Sequence, residues 1–292
     1  MPDQAALPRV LANNGLMSAA FVDPAAPTPP DLASHFERIV TDRQLKAGRA
    51  LAVAMGIAPG CSVLDLGCGT GLLSEHLAQF VGMQGDVLGL DPSPYHMAIA
   101  YQRSRPNLRF QVGSPQDLSR FPAGCFDAIV ANGLLHTWPD HLGPLRELHR
   151  VLKPGGRLGL VTHSAEHPHP VKVVEAAVLA RVPYAAHPVP DALRENPVSA
   201  MGLRALLDQA GFASFEVEEQ ADEHVHATAH AALAYVEALA WGQFLKHLPE
   251  SPMNLRAAAR AEVAQGLERL RTHDGIRYRG LRLQAVASKA LA

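Results

Sequence analysis

Residues 63–73 read VLDLGCGTGLL: an apolar run holding a carboxylate at Asp65, then glycines at 67, 69 and 71, then apolar residues again. Residue types at this spacing bind a ligand rather than break a bond. Where a strand end feeds straight into a helix the turn is tight, and a ligand lying across it needs bare backbone; glycine meets both demands. The dinucleotide fingerprint is G-x-G-x-x-G, whereas these glycines stand as G-x-G-x-G, with Leu72 where the third glycine belongs, which weakens a nicotinamide reading. Asp91 closes the apolar run DVLGLD twenty positions beyond Gly71, placed to accept the hydroxyls of a ribose. A ligand containing adenosine is favoured. Cys68, between two loop glycines, reads as a small filler and not as a nucleophile.

Histidine offers a second chemistry. HSAEHPHP and DEHVHATAH gather His163, His167, His169, His224, His226 and His230 into two clusters. His226 and His230 are four apart, so on a helix they share one face, a geometry zinc uses. Histidines in a proline-rich connector are more often solvated, and no metal is expected. His136, just after the run FDAIVAN, is the one candidate general base, although packing or helix initiation is the more common role of a lone histidine. Tyr235, Trp241, Phe244 and Met253 lie on later helical segments; singly each reads as core, and as a group they read as walls around a small, largely apolar acceptor.

These residues must be held by elements, and the pattern of the chain supplies them. After the proline cluster PAAPTPP at 24–30, read as an extended linker, apolar residues recur at helical spacing from Asp31, a candidate N-cap, to about Met55. Short apolar runs then alternate with amphipathic segments: SVLDLG, a helix from about Leu72, DVLGLD, a helix from about Pro94, LRFQVG, FDAIVAN, a helix from about His141, and GRLGLVTHS. Strands separated by helices imply right-handed crossovers and a parallel sheet covered on both faces. Farther on, SAMGLRALLDQAGF reads as a helix closed by Gly211, SFEVEEQ as a strand, 228–272 as helix in two pieces, and LRLQAVASKA as a last strand. Nearly half of the 292 residues are apolar and the formal charge is −2, with no basic excess to track a phosphate backbone, so nucleic acid is disfavoured. No apolar run reaches the roughly 18 residues of a membrane span, and the first residues lack the order of a secretion signal. Three scattered cysteines, Cys61, Cys68 and Cys125, read as free thiols, and a cytoplasmic protein of unassigned oligomeric state is expected.

The stretch from about Gly60 to His163 resembles the class I S-adenosylmethionine-dependent methyltransferases, in particular the small-molecule branch that includes ubiquinone and menaquinone biosynthesis enzymes. The resemblance is carried by VLDLGCGTG, GDVLGLDPSP, FDAIVANGLLHTWPD and LRELHRVLKPGGRLGLV, in that order. It implies one α/β domain: a doubly wound, mostly parallel seven-stranded sheet with an added helical cap. Its parts would be an N-terminal arm and helix (1–59), a cofactor-binding core (60–163), cap insertions (164–204 and 225–278), and a closing helix and strands (205–224 and 279–292). It further implies S-adenosylmethionine as cofactor. The loop of Gly67, Cys68, Gly69 and Gly71 would pass under its methionine half, Asp65 would help hold the amino group, Asp91 would take the ribose hydroxyls, and Pro92 would lie beside adenine. Asn132, at the end of the fourth strand, would also contact the cofactor. Where relatives carry Gly-Asp-Ala near adenine this chain has Gly113, Ser114 and Pro115; proline has no N–H to give, so Gln116 or Asp117 would take part instead. Where relatives carry methionine after the ribose acid, it has His96. The function implied is in-line methyl transfer to a small, largely apolar acceptor. The alternatives are a cofactor-binding partner protein without catalysis and an arsenite-type methyltransferase, suggested by VGMQGDVLGLD but without evident arsenic-binding cysteines.

Overall fold

In the computed structural model, which describes residues 30–240, 243–251 and 253–291, the chain enters through α1 (Pro30–Ala54). It then alternates: β1 (Ser62–Leu66), α2 (Leu72–Val81), β2 (Asp86–Asp91), α3 (Pro94–Ala100), β3 (Leu108–Val112), β4 (Phe126–Asn132), α4 (Leu142–Val151) and β5 (Leu152–His163). α5 (Pro170–Leu179), α6 (Ala200–Gln209), β6 (Ser214–His226), α7 (Ala229–Leu239), α8 (Leu255–Leu267), β7 (Arg271–Thr272) and β8 (Gly275–Ser288) follow. α1 starts at a proline, a residue suited to the first turn, so Asp31 stands inside that turn rather than at the cap. The linker read at 24–30 lies almost wholly outside the described residues, as does the arm before it.

The strands lie in the order β3-β2-β1-β4-β5-β8-β6, with the two-residue β7 pairing off this path with β8. β1 to β5 are parallel, and β8 runs antiparallel to both β5 and β6. This is the doubly wound sheet that the alternation demands, with an antiparallel addition at one edge. Strand order reverses beside β1, so the carboxyl ends of β1 and β4 open a crevice where such sheets bind ligands.

Each face has its own core. α1, α2 and α3 cover one face, with Leu51, Met55, Leu77 and Met97 packed on Val63, Val87 and Val130. α4 and α6 cover the other, around Phe126, Ile129, Leu145 and Leu207. α1 reaches the sheet closely because Gly159 in β5 has no side chain; a Cβ there would overlap Met55 and meet Leu51 at 3.0 Å.

β6 and β8 outrun the parallel strands. β5 ends at His163, opposite Arg282, yet the β6–β8 ladder continues from Gln220↔Arg282 to His226↔Ile276. Six further residues of strand carry this two-stranded ribbon about 20 Å past the carboxyl edge of the sheet. Side chains alternate along it, Asp222, His224 and His226 falling on one face and Glu223 and Val225 on the exposed other. The segment 225–278, expected as helical cap, therefore contains strand at both of its ends. His226 is the last residue of β6 and His230 lies in α7, so the shared helix face expected of that pair does not exist. α5, α7 and α8 pack around Ile276 and Tyr278 of the ribbon and form a third core. Among the described residues no helix is long and apolar enough to cross a membrane.

Candidate active site

The loop after β1 is built as its glycines require. Gly67, Gly69 and Gly71 have φ of 73°, 55° and 84°, a region side-chain-bearing residues seldom adopt. Space reinforces conformation at Gly71, where a Cβ would lie 2.6 Å from Cζ of Phe110. The amides of Gly67 and Cys68 donate to the carbonyl of Leu90, and Arg103 Nε donates to the carbonyl of Thr70 at 3.0 Å, so the loop is held from both sides.

Two carboxylates lie beneath it. Asp65 is 1% exposed and accepts a hydrogen bond from Ser74 Oγ at 2.6 Å. Burial pushes its carboxyl up to about 7; the Ser74 bond works against this and the charge of Asp91 adds to it. Asp91 also is buried, and its carboxylate is already well supplied with donors. Oδ2 accepts from Gly69 N at 3.0 Å, while Oδ1 accepts from Ser93 N at 2.9 Å and faces His96 Nδ1 at 2.9 Å. A carboxylate offers about four acceptor positions, so Oδ2 retains one. His96, which stands where relatives carry methionine, thus occupies part of the acid expected to hold two ribose hydroxyls.

At the turn expected to lie beside adenine, Ser114 donates through both N–H and Oγ–H to Asp117 Oδ2, at 2.8 and 2.9 Å. Of the two residues expected to replace the usual acid there, Asp117 is engaged with Ser114 and Gln116 is exposed, while Pro115 is buried and Pro92 exposed. Cys68 is buried, with its thiol pushed up by burial and the nearby carboxylates, in keeping with a filler.

Past the loop, a cavity opens at the carboxyl ends of β4 and β5. Asn132, Gly133, Thr162 and His163 form its floor, Arg43, Gln44 and Ala47 of α1 one wall, and Asp222, His224, Gly280 and Arg282 of the ribbon another, with Tyr235 and Leu239 above. Asn132 Nδ2 donates to the carbonyl of Gln44 at 3.0 Å, tying α1 to the end of β4. Arg43 Nη1 meets Asp222 Oδ1 at 2.8 Å, and His224 Nε2 meets Asp222 Oδ2 at 3.0 Å. Burial would raise the Asp222 carboxyl, but the His224 hydrogen bond and charge, with Arg282 and Arg43, hold it well below the usual carboxylate range. A wider, open groove lined by Glu166, His167, Pro168, Val173 and Arg279 lies nearby, but it touches neither the glycine loop nor a strand end of the parallel sheet.

His136 is brought beside this cavity but not into its lining. It is buried, its Nδ1 lies 3.5 Å from Thr162 Oγ1, and its ring stacks on His163 at 3.7 Å and 17°. Burial, with the nearby His163 charge, drives its pKa down to about 3, leaving it neutral and poor at retaining a proton. Of the aromatic residues expected around an acceptor, Tyr235 lines the cavity. Phe244 packs instead into the core of α5, α7 and α8, and Trp241 lies outside the described residues. His136, His163 and Glu195 place ligand atoms within 4.8 Å of one another. The near-parallel stacked rings direct their in-plane lone pairs side by side rather than toward one point, and Lys172 Nζ holds the other Glu195 oxygen at 3.2 Å, so the group is a histidine–carboxylate pair rather than a metal cage. Sequence reasoning passed over Arg43, Asp222, Glu195 and Arg282. The only signal was the alternate spacing of Asp222, His224 and His226, a strand period in a polar stretch.

A doubly wound sheet with a left-handed glycine loop after its first strand and a buried acid after its second is the fold of the class I S-adenosylmethionine-dependent methyltransferases. Residues 64–160, about a third of the chain, match the family model described as a methyltransferase domain. The chain is 41% identical over 116 residues to an arsenite methyltransferase of Aquipseudomonas alcaligenes, covering 36% of this chain and 34% of that protein. It is 41% identical over 128 residues to a trans-aconitate 2-methyltransferase of Deinococcus radiodurans, covering 44% and 47%. To a ubiquinone biosynthesis O-methyltransferase of Xanthomonas campestris it is 34% identical over 145 residues, covering 49% and 60%. The matched stretch thus spans between a third and three fifths of these relatives' lengths. Among solved structures, the YcgJ protein from Bacillus subtilis superposes with a TM-score of 0.55 at 19% identity, covering 86% of this chain and 100% of that one. The [4+2]-cyclase SpnF superposes at 0.53 with 23% identity, covering 85% and 82%. At these identities the likeness shows the fold alone.

Proposed function

We propose that the chain is an S-adenosylmethionine-dependent methyltransferase acting on a small, largely apolar acceptor. The observation that carries this reading is the left-handed glycine loop with its two buried carboxylates after β1, beside the paired strand β4 whose carboxyl end opens into the cavity, the loop and the end of β4 both lying in the segment matched by the methyltransferase-domain family.

The residues present suit this cofactor. Asp65, buried with its carboxyl pushed up to about 7, is complementary to an ammonium group. Asp91 keeps one acceptor position on Oδ2 for a ribose hydroxyl while its other positions brace the loop and the start of α3. The left-handed glycines present backbone without side chains to whatever crosses them. When bound, the cofactor supplies a methyl carbon activated by its sulfonium. The protein's own task is then to align the acceptor atom in line with that carbon and to exclude water, which together supply much of the acceleration of such transfers. α1 and the ribbon, meeting through Arg43 and Asp222, enclose the cavity for this purpose. The cysteines do not favour an arsenite-type acceptor: Cys61 and Cys125 precede β1 and β4, at the amino edge of the sheet, and Cys68 is buried in the loop.

Titration calorimetry with S-adenosylhomocysteine tests the reading. Wild-type protein is expected to bind it, and Asp91→Ala to bind at least tenfold more weakly, since a hydrogen bond to a charged group contributes about 1.5–3 kcal/mol and the Gly69 tether is lost as well. Absence of binding by the wild type, or equal affinity of the two proteins, contradicts it.

A further inference from the structure

We infer that His163, oriented by Glu195, is the proton acceptor of this site, and that the acceptor molecule presents a hydroxyl of phenolic acidity; the inference rests on the methyltransferase reading. His163 is the last residue of β5, and its side chain lines the cavity beside Asn132 and Gly133. Its Nδ1 lies 3.0 Å from Glu195 Oε2. An ionised carboxylate can only accept, so Nδ1 carries the hydrogen, which leaves Nε2 as the nitrogen that accepts in the neutral imidazole. Glu195 is ionised: burial would raise its pKa, but the His163 hydrogen bond and the charge of Lys172 hold it well below the usual range. Lys172 Nζ contacts Glu195 Oε1 at 3.2 Å and fixes the carboxylate from its other side. Neutral His136 stacks under the imidazole and fixes its plane. Orientation of an imidazole by a carboxylate, with the far nitrogen open to a cavity, is the arrangement of a general base.

The opposite wall indicates what is bound. His169 Nε2, His224 Nδ1 and Arg282 Nε are buried nitrogens that find no hydrogen-bond partner among the described residues, and all three residues line the same cavity. Buried polar atoms left unpaired are costly; Arg282 Nε donates and suits an acceptor oxygen of a bound molecule, while His224 Nδ1, whose Nε2–H faces Asp222, suits a hydroxyl that donates. Around them, Ala47, Val161, Tyr235, Leu239 and Leu281 offer apolar surface for a ring. Charged and titratable groups facing His163 are Glu195 and Lys172 from the cap side, Arg282 and Asp222 from the ribbon, and His136 and His169. A phenol lies only about 3–4 pKa units above an ordinary imidazole, so its proton can pass to His163 before or during attack on the methyl carbon, whereas an aliphatic alcohol, a far weaker acid, must lose its proton in concert with attack; the phenol asks least of this site. In the step, the phenolic oxygen bonds to the methyl carbon as the carbon–sulfur bond breaks with its electron pair going to sulfur. The hydroxyl proton passes to His163 Nε2 and then to solvent. The products are a methyl ether and S-adenosylhomocysteine.

The test uses 4-nitrophenol, colourless as the acid and yellow as the anion, titrated with full-length protein at a pH where the free phenol is mostly protonated, with and without S-adenosylhomocysteine. Wild-type protein is expected to hold about tenfold more of the bound phenol as anion than buffer does. His163→Gln should return the bound phenol to its neutral form, and Glu195→Gln should lower the anion fraction several-fold. A bound phenol that stays neutral in the wild type, failure of the phenol to bind, or an anion signal unchanged in His163→Gln would each overturn the inference. An unchanged signal in Glu195→Gln would overturn the positioning role. Binding of S-adenosylhomocysteine is read separately by calorimetry, so failure of the methyltransferase reading is distinguished from failure at His163.

Discussion

The proposed placement of the cofactor's ammonium beside Asp65 makes its binding a proton-release reaction. With its carboxyl pushed up to about 7 by burial, about half of the ligand-free molecules carry the proton at neutral pH. The α-ammonium of S-adenosylhomocysteine placed beside it lowers that pKa by about 1–3 units, as an opposite charge within a few ångströms does. For a lowering of about 2 units, binding at pH 7 expels about half a proton and at pH 6 about 0.8, because more of the free protein is protonated there. Calorimetry in buffers of unlike ionisation enthalpy reads this number as the slope of apparent enthalpy against buffer enthalpy. Asp65→Asn keeps a partner for Ser74 but has no proton to lose, so its slope should be near zero. Stability carries the same signature. A carboxyl whose folded pKa exceeds its unfolded value favours the fold below the unfolded pKa of 3.8, and that contribution is lost as pH rises through about 7. The difference in unfolding free energy between wild type and Asp65→Asn should shift against the wild type by on the order of 4 kcal/mol between pH 4 and pH 8. Equal buffer slopes in the two proteins, or a flat difference in stability across that range, would refute the placement of the ammonium and the burial argument respectively.

Gly71→Ala forces a side chain into a left-handed backbone and against Phe110, at a cost of about 1–2 kcal/mol for the conformation alone, so thermal denaturation should show a midpoint lower by several degrees. An unchanged midpoint and unchanged affinity for S-adenosylhomocysteine would mean that the loop is not under this constraint. His136→Ala removes a buried ring that packs under His163 and should lower stability while the 4-nitrophenol anion signal persists in the folded protein. Loss of that signal with stability intact would show that proton transfer to His163 depends on the stacked His136 ring holding its imidazole.

The parallel half of the sheet was legible because its signals are local. Each strand of β1, β2 and β4 is a short apolar run, each helix follows at once, and the glycines at 67, 69 and 71 announce a turn that only they adopt easily. The cavity was not legible, because its residues arrive from distant segments. Arg43 and Asp222 are 179 positions apart, and His163 and Glu195 are joined across a connector whose prolines and histidines read as solvated. The ribbon was shortened in the reading for a different reason. ADEHVH has a polar residue at most inward positions, so the apolar alternation that marks a half-buried strand is missing, although the pairing with β8 is continuous. The apolar aromatic Phe244 matched the expected acceptor wall in type but serves the cap's core, because periodicity shows that a side chain is buried without showing which interior it enters.

Inward Asp222 and His224 and outward Glu223 and Val225 belong to one strand yet answer to separate constraints. An outward substitution on the ribbon changes only what solvent meets, whereas an inward one redraws the surface proposed to recognise the acceptor, and neither touches the glycine loop proposed to receive the donor. Acceptor preference can accordingly drift among descendants while the donor half stays fixed. Strand length has no such freedom. One residue inserted between Ser214 and Asp222 would turn the inward set to the outside in a single step, since side chains alternate with a period of two. The ribbon tolerates exchange of letters but not a change of frame.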